Sequence, residues 1–568
     1  MRWRTLVREM QALVSQFRRY FLYAGLFSVA INVLLLAPPL YMLQVFDRVL
    51  TSRSEETLLM LTVATLGAIL IMAFLDVLRG RLLAVAGVAL ERTLGPQVLD
   101  AILERAARRT DLPLAGASRD VAALRAFLGG AGVIALFDAP WLPLFLIIIF
   151  LFHPLLGVAA CVGAALMLLL AIANERMTRR LLEQAQAKSR NAARFVDGAV
   201  RNAEVVRALG MNDAVLRRWN EINDAALHQQ LSASGIGGRF AGFTRFTRQC
   251  IQTAMLALGA FLVVDQHVTA GIMMAATIIL GRALGPVEAL VAGWRSLVEV
   301  RSAWRRVREV LDKAAPQAPA TELPAPRGRL AAERVNFAVA GAERPILRGI
   351  SFALAPGESL GIIGPSAAGK STLARLIVGV WKPTSGIVRL DGADVAAWPR
   401  ERLGPLVGYL PQDVELFGGT VAENIARLGE PDAAAVIQAA QQAHVHELIL
   451  RLPKGYDSDI GEHGERLSPG QCQRIALARA LYGQPRIVVL DEPNANLDHD
   501  GEEALMRTLR LLNGQGITTV IIAHRPSLLA GVDKMLVLRD GAVDMYGSRT
   551  EIMGKVTRAA VAARDAAA

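Results

Sequence analysis

Apolar positions fill the first half of the chain in blocks too long for a soluble core. Continuous runs occupy residues 21–43, 57–75, 134–152, 154–172, 250–264 and 270–291, each near the length at which an α-helix crosses ~30 Å of hydrocarbon. The pattern predicts six membrane-spanning helices. Residues 79–130 and 176–247 follow the second and fourth runs with helical periodicity and polar faces. They are predicted as helices that continue beyond the bilayer, since loops of that length without secondary structure are uncommon. The first run is too long for a signal-peptide core and lacks a small-residue cleavage site. Pro38 and Pro39 are expected to kink its outer end, which membrane helices tolerate when neighbours re-satisfy the freed backbone groups.

The pattern changes at residues 311–328, LDKAAPQAPATELPAPRG, where four prolines mark a linker. Beyond it, short β-branched runs alternate with helical ones, the signature of an α/β domain on a parallel sheet. The chain therefore divides into an all-α transmembrane domain (1–310), a proline-rich linker (311–328) and an α/β domain (329–568). The Ala-rich residues 556–568 are expected to form a weak helix or none.

Composition agrees with the membrane reading. Hydrophobic residues make up 53% and charged residues only 20%, with a mean hydropathy of +0.35. The formal charge of +11 admits nucleic-acid binding or membrane flanks, and the distribution decides between them. Arginines gather beside the apolar runs: Arg2, Arg4, Arg18 and Arg19 before the first, Arg79, Arg81, Arg105, Arg108 and Arg109 after the second. Arg176, Arg179 and Arg180 follow the fourth run, and Arg295, Arg305 and Arg306 the sixth. The other connections are short, and 265–269 has no Lys or Arg. This positive-inside asymmetry places both termini in the cytosol and argues against a nucleic-acid partner, which would need a basic face or arm. Cys161, Cys250 and Cys472 stand far apart, so neither a disulfide framework nor a zinc site is indicated, and buried or incidental thiols are expected.

Candidate chemistry lies in the second half. Gly364-Pro365-Ser366-Ala367-Ala368-Gly369-Lys370-Ser371 fits G-x-x-x-x-G-K-[ST], with the strand-like SLGII before it and a helical pattern from Thr372 after it. That context identifies a P-loop. Its backbone N–H groups would wrap phosphates at a helix N-terminus, Lys370 would reach the β- and γ-phosphates, and Ser371 would ligate Mg²⁺. A second apolar strand ends in Asp491 and Glu492. One carboxylate suits the metal shell and the other the attacking water. ATP and Mg²⁺ are the cofactors expected.

Leu467-Ser468-Pro469-Gly470-Gln471, immediately before the helical QRIALARAL, resembles the signature motif of ATP-binding cassette ATPases. The remaining family motifs stand in order. Gln412 resembles the Q-loop glutamine, Asn496-Leu497-Asp498 the D-loop, and His524 the switch histidine, while Gly461–Gly464 falls where exporters carry an extra loop. The resemblance spans residues 329–550 and implies a P-loop nucleotide-binding domain with a helical subdomain. It makes Glu492 the catalytic base, assisted by His524 and Gln412. It assigns the metal to Ser371, Gln412 and Asp491, and nucleotide contacts to residues 364–372, Ser468, Gly470, Gln471 and Asp498. The family sandwiches ATP between the P-loop of one subunit and the signature of another, so the resemblance implies a homodimer. Two positions depart from the pattern. Pro469 removes one N–H but suits a first helical turn. Val339 occupies the place where exporters often stack adenine on an aromatic ring; the nearby Phe337 alternates with Val335 as a core-facing residue would.

Residues 38–50, 137–157 and 281–290, together with DEPNANLD, resemble the type I secretion permease/ATPases of the protease and lipase class. That likeness implies a bacterial inner-membrane protein exporting an unfolded protein with a C-terminal signal, partnered by a periplasmic adaptor and an outer-membrane channel. A lipid or drug exporter of the same fold is the alternative. A gated channel or regulator would commonly have lost Glu492 or the signature, and both are intact. Only about 20 residues precede the first span, which leaves no room for an N-terminal peptidase-like domain. The stretch around 207–213 is similar to the second coupling helix of exporters, and residues 111–120 are expected to supply the first. Arg282 and Glu288 fall within the sixth run, where charge is costly. Arg282 is expected to line the translocation path, the alternative being a pair between the two.

Overall fold

A computed structural model describes residues 17–108, 116–312, 324, 326–339 and 344–555. The N-terminal basic stretch, the start of the 111–120 segment, most of the linker and the Ala-rich tail lie outside the described residues. Two compact units are present, Met1–Ala315 and Pro316–Ala568.

In the first unit, the described residues hold six helices long and apolar enough to cross a membrane: Arg18–Ser52, Glu55–Ala107, Ala131–Phe152, Pro154–Arg201, Asn212–Val264 and Ala270–Ala292. The second and fifth run to 53 residues and the fourth to 48. At ~1.5 Å per residue that is about 70–80 Å, more than twice the hydrocarbon thickness, so the polar stretches do continue the spans as helix. Two amphiphilic helices, Ala117–Leu128 and Trp294–Asp312, and a short one, Ala203–Ala208, are the further α-helices of the unit among the described residues. The first span does not simply kink at its prolines. Its helix ends at Leu34, and Pro38 and Pro39 sit in the opening turn of a new helix, Ala37–Gln44, where a missing N–H costs nothing. A π-helical turn, Val45–Val49, follows. It carries Asp47, which accepts the Gly271 N–H at 2.9 Å and the Thr269 hydroxyl at 2.6 Å and so caps the sixth span.

Small residues let these helices approach closely, as expected where lipid offers no hydrophobic drive for association. A Cβ on Gly163 would come within 2.6 Å of Ile251, and one on Gly259 within 2.6 Å of Met273. Around these contacts Ile149, Leu156, Met167, Met255, Ile279 and Leu280 form a closed core. Large apolar side chains such as Met60, Leu70, Leu151 and Val264 are exposed along the spans, the arrangement a lipid solvent requires.

Arg79 departs from its expected role as a solvated basic flank. It is 3% exposed and donates to Ser28 Oγ at 2.8 Å, Asp138 Oδ1 at 2.7 Å and Asp76 Oδ1 at 2.6 Å, tying together the first three spans. Arg306 likewise makes a two-pronged bond to Asp120 at 2.7 and 2.5 Å. The Arg282–Glu288 pair is not formed. Glu288 pairs instead with Arg248 at 2.8 Å and Arg245 at 3.6 Å, while Arg282 is exposed and without an ion pair among the described residues. All three cysteines are free, with Cys161 and Cys250 exposed and only Cys472 half-buried, so the two thiols in apolar runs lie on helix surfaces and not in the interior.

The second unit contains two sheets. β1 (Leu330–Phe337), β2 (Leu347–Leu354), β4 (Ser385–Leu390) and β5 (Ala393–Asp394) form an antiparallel sheet in the order β2-β1-β4-β5. β3 (Ser359–Ile363), β6 (Val407–Leu410), β7 (Ile487–Asp491), β8 (Thr518–Ile522), β9 (Lys534–Arg539) and β10 (Ala542–Ser548) form the other, ordered β10-β9-β3-β8-β7-β6. Its β9-β3-β8-β7-β6 neighbours are parallel and β10 is an antiparallel edge. Strands β7 and β8 are buried at every position, as the apolar stretches Ile487–Leu490 and Val520–Ile522 require in a sheet covered on both faces. One core joins the two sheets through Leu330, Ile350, Leu360, Ile362, Leu373 and Trp381. A second gathers the helices Val421–Ile425, Ala433–Gln442 and Pro469–Leu481 around Ile425, Ile449 and Ile475. This is the helical subdomain.

Candidate functional site

Open parallel sheets place ligand sites at the carboxyl ends of their strands, and here β3, β6, β7 and β8 all deliver motif residues there. β3 ends at Ile363, and residues 364–369 turn the chain into the helix Lys370–Ile377. The turn needs its glycines. A Cβ on Gly364 would stand 2.3 Å from the Leu538 carbonyl oxygen, and Gly369 has φ +94° with Leu347 at 2.6 Å from its Cβ position. No side chain caps that helix, so its first N–H groups remain for an external anion. Lys370 is 6% exposed. Its ammonium donates to the carbonyls of Gly364 at 2.9 Å and Pro365 at 3.0 Å, bracing the loop over the space it encloses. Burial lowers the Lys370 pKa from its ordinary value, and Glu492 and Asp491 act in the opposite sense.

Ser371 donates to Gln412 Oε1 at 3.5 Å, Gln412 Nε2 donates to Glu492 Oε2 at 3.2 Å, and His524 Nε2 lies 3.2 Å from Glu492 Oε1. One polar chain thus joins residues following β3, β6, β7 and β8. Asp491 is 1% exposed, and among the described residues neither carboxylate oxygen has a partner within hydrogen-bond distance. Burial raises its pKa from the ordinary value, the nearby Ser371 hydroxyl opposes that, and the Glu492 charge adds to it. A buried carboxylate beside a serine hydroxyl and an amide oxygen is a hard-oxygen set of the kind a small divalent cation takes, completed by phosphate and water. The residues fit the expected metal.

Glu492 has φ +50°, a conformation that costs a non-glycine residue about 1–3 kcal/mol and persists only where the surroundings over-determine it. They do so here. The Glu492 N–H donates to Ile522 of β8 at 3.0 Å, and its carbonyl accepts from Ala495 N at 3.2 Å and Gln473 Nε2 at 3.3 Å. Gln473 was not singled out by its sequence. The available signal was a glutamine two residues past the signature in an otherwise apolar helical face, beside Ile475 and Ala476.

The signature forms a helix N-terminus as expected. Ser468 is the N-cap of Pro469–Leu481 with Pro469 at its first position. Ser468 Oγ accepts from Gln471 N at 3.3 Å while Gln471 Oε1 accepts from Ser468 N at 2.9 Å, a reciprocal capping box. The Gln471 side chain is therefore spent on the helix itself, and the Ser468 hydroxyl proton remains to be donated. A Cβ on Gly470 would come within 2.8 Å of the Asn496 carbonyl oxygen. Asp498 caps the next helix through Gly501 N at 2.8 Å and pairs with Arg474 at 2.7 Å; the Gly501 N–H, then Arg474, lower its pKa. Among the described residues no hydrogen bond joins 468–471 to the P-loop. Gly461–Gly464 forms a turn that exposes Glu462 and His463 and buries Gly464, with His463 at φ +57°. Phe337 stacks on Trp381 at 5.0 Å and so belongs to the core, while Val339 is 43% exposed.

Residues 347–495 match the family model described as ABC transporter, and residues 21–287 the model described as ABC transporter transmembrane region. The type I secretion system ATP-binding protein PrsD of Rhizobium meliloti is 40% identical over 95% of this chain and 93% of its own length. The cyclolysin secretion/processing ATP-binding protein CyaB of Bordetella pertussis is 31% identical over 93% of this chain and 75% of its own. A solved bacterial Atm1-family ABC exporter with ATP bound is 25% identical with a TM-score of 0.80, covering 97% of this chain and 98% of that one.

Proposed function

The chain belongs to the ATP-binding cassette exporters, among the type I secretion ATP-binding proteins, and from that membership we propose that it exports an unfolded protein across the inner membrane as the ATPase and permease of a type I secretion system. It is a multi-pass membrane ATPase. One observation carries the reading: the Ser371–Gln412–Glu492–His524 array on the same polypeptide as six membrane-length helices. The names of PrsD and CyaB support a secreted protein cargo, and the C-terminal signal is part of the proposal.

In the proposed cycle two copies pair, and ATP lies between the P-loop of one and the signature of the other. Closed two-fold dimers are the commonest way to build such paired sites. Residues 364–372 cradle the phosphates through backbone N–H groups, and Lys370 moves from its loop carbonyls to the β- and γ-oxygens. Ser371, Gln412 and Asp491 would hold Mg²⁺, which would supply charge neutralisation on the phosphates. Glu492 takes the proton of the attacking water, held in orientation by Gln412 and His524. The partner's Ser468 hydroxyl and the N-terminus of its signature helix face the γ-phosphate. The arginine asymmetry places both termini in the cytosol. Arg282, exposed on the sixth span and without an ion pair among the described residues, is assigned to the translocation path. A periplasmic adaptor and an outer-membrane channel complete the route.

The test is co-expression with candidate adaptor and channel proteins, followed by mass spectrometry of the medium for the wild type and for Lys370→Ala. A protein that appears in the medium only with the wild-type pump supports the proposal. ATP-dependent lipid translocation in liposomes, with no secreted protein and no adaptor copurifying, would replace it by lipid export.

A further inference from the structure

We propose that Gln473 is a positioning residue for hydrolysis: its buried side-chain amide clamps both ends of the turn from Glu492 to Asn496 and so fixes where the Glu492 carboxylate lies. Gln473 is 2% exposed. Its Nε2 donates to the Glu492 carbonyl at 3.3 Å, and its Oε1 accepts from Asn496 N at 2.9 Å. The amide acts as an inserted peptide unit, pairing one acceptor and one donor of a turn whose Ala495 and Asn496 are exposed, from a side chain that is itself buried.

The clamp matters because of what Glu492 must do. Its backbone sits at φ +50°, and its side chain is reached from two sides, by Gln412 at 3.2 Å and His524 at 3.2 Å. Release of the turn would let this residue relax toward ordinary backbone angles, which would swing the carboxylate away from both partners. Misplacing a reacting group by ~1 Å can cost about a hundredfold in rate. Nucleotide binding through the P-loop would be untouched, since no described hydrogen bond of Gln473 reaches residues 364–372.

The clamp also comes from an informative place. Gln473 stands one turn into the helix whose N-cap is Ser468. The same helix meets the turn again through Gly470, packed against the Asn496 carbonyl, and the residue capping the next helix through Arg474, bonded to Asp498 at 2.7 Å. The signature helix and the turn bearing Glu492 are thus held as one body within a subunit. A shift of the helix N-terminus is transmitted to Glu492 of the same chain. By this route the site receiving the signature and the site receiving Glu492 are linked.

The inference rests on Glu492 being the general base, and the experiment separates the two. Full-length protein reconstituted in liposomes is compared as wild type, E492Q, Q473L and Q473E. Q473L, similar in bulk without the amide, is expected to lose about tenfold or more in kcat with the KM for ATP within about twofold. Q473E keeps the acceptor for Asn496 N and loses the donor at alkaline pH. Protonation of the buried carboxyl restores an O–H donor, so its rate relative to wild type is expected to rise about fivefold between pH ~8.5 and ~6.5. Wild-type kcat in Q473L, or parallel loss of kcat, ATP affinity and thermal midpoint without acid recovery in Q473E, overturns the clamp. Should Q473L not fold, the pH ratio of Q473E decides alone. An E492Q enzyme that still turns over normally overturns the base assignment instead.

Discussion

His524 Nε2 lies 3.2 Å from Glu492 Oε1, while Glu492 Oε2 accepts from Gln412 at 3.2 Å. Both oxygens of one carboxylate are therefore held by residues at the ends of different strands. Such bilateral fixation suits a group that must accept a proton in one direction only. Glu492→Gln preserves the shape and removes the basicity. Turnover is expected to fall at least ~10²-fold, the scale of losing a general base, with ATP binding retained. Single-turnover hydrolysis and nucleotide retention on the same preparation measure both. Hydrolysis at the wild-type rate would remove Glu492 from the mechanism.

Ser468 caps its own helix and, in the proposed dimer, faces a partner's phosphate, two roles that substitution can separate. Aspartate is as good an N-cap as serine, so Ser468→Asp is expected to keep stability within about 0.5 kcal/mol. Its negative charge would repel the γ-phosphate and abolish steady-state ATPase activity. Ser468→Ala reverses the emphasis, costing ~1 kcal/mol through the lost cap. A fully active Ser468→Asp enzyme would mean that the signature does not meet nucleotide.

With Phe337 engaged by Trp381 at 5.0 Å, the exposed Val339, at the position where the resemblance expects the base to stack, would offer it only an aliphatic surface. Stacking of a base on an aromatic ring is worth about 1–3 kcal/mol. Wild-type protein is therefore expected to hydrolyse GTP with a KM within about threefold of that for ATP. Val339→Tyr should lower both values by roughly fivefold or more, leaving kcat unchanged. Nucleotide titrations of the two proteins check this, and a wild-type KM for GTP far above that for ATP would place base recognition elsewhere.

What the sequence made legible was local. The P-loop declares itself because its glycines, lysine and serine fall within eight residues at fixed spacing, and the buried strands β7 and β8 because Ile487–Leu490 and Val520–Ile522 are apolar on both faces. The spans follow from run length alone. Side chains that act across the fold were hidden. Gln473 looks like any helical glutamine until burial and the Glu492–Asn496 turn are in place. Asp47 lies in a stretch noticed only for its likeness to secretion proteins, and its capping of Gly271 at 2.9 Å depends on a π-helical turn that no residue pattern announces. Arg79 was counted among basic flanks because neighbouring arginines are flanks. Its partner Asp138 is 59 residues away, and pairing over that distance is set by helix packing.

That pair yields a prediction about stability. Arg79 is 3% exposed, and Asp138, 19% exposed in its side chain, accepts from it at 2.7 Å. Asn32 adds a further bond to the same Asp138 oxygen at 3.1 Å. Removing one member of a buried ion pair strands the other charge, which costs about 3–5 kcal/mol, whereas replacing both by apolar residues of similar volume is often neutral. Arg79→Met leaves Asp138 with only the Asn32 amide, and is expected to destabilise the transmembrane unit by roughly that amount. Arg79→Met combined with Asp138→Leu should recover most of the loss. Unfolding of the purified variants in detergent, followed by circular dichroism, gives the comparison. A double variant no more stable than Arg79→Met would mean that the cost lies in the bonds to Ser28 and Asp76, and that the network is held by its rim and not by its central charge pair.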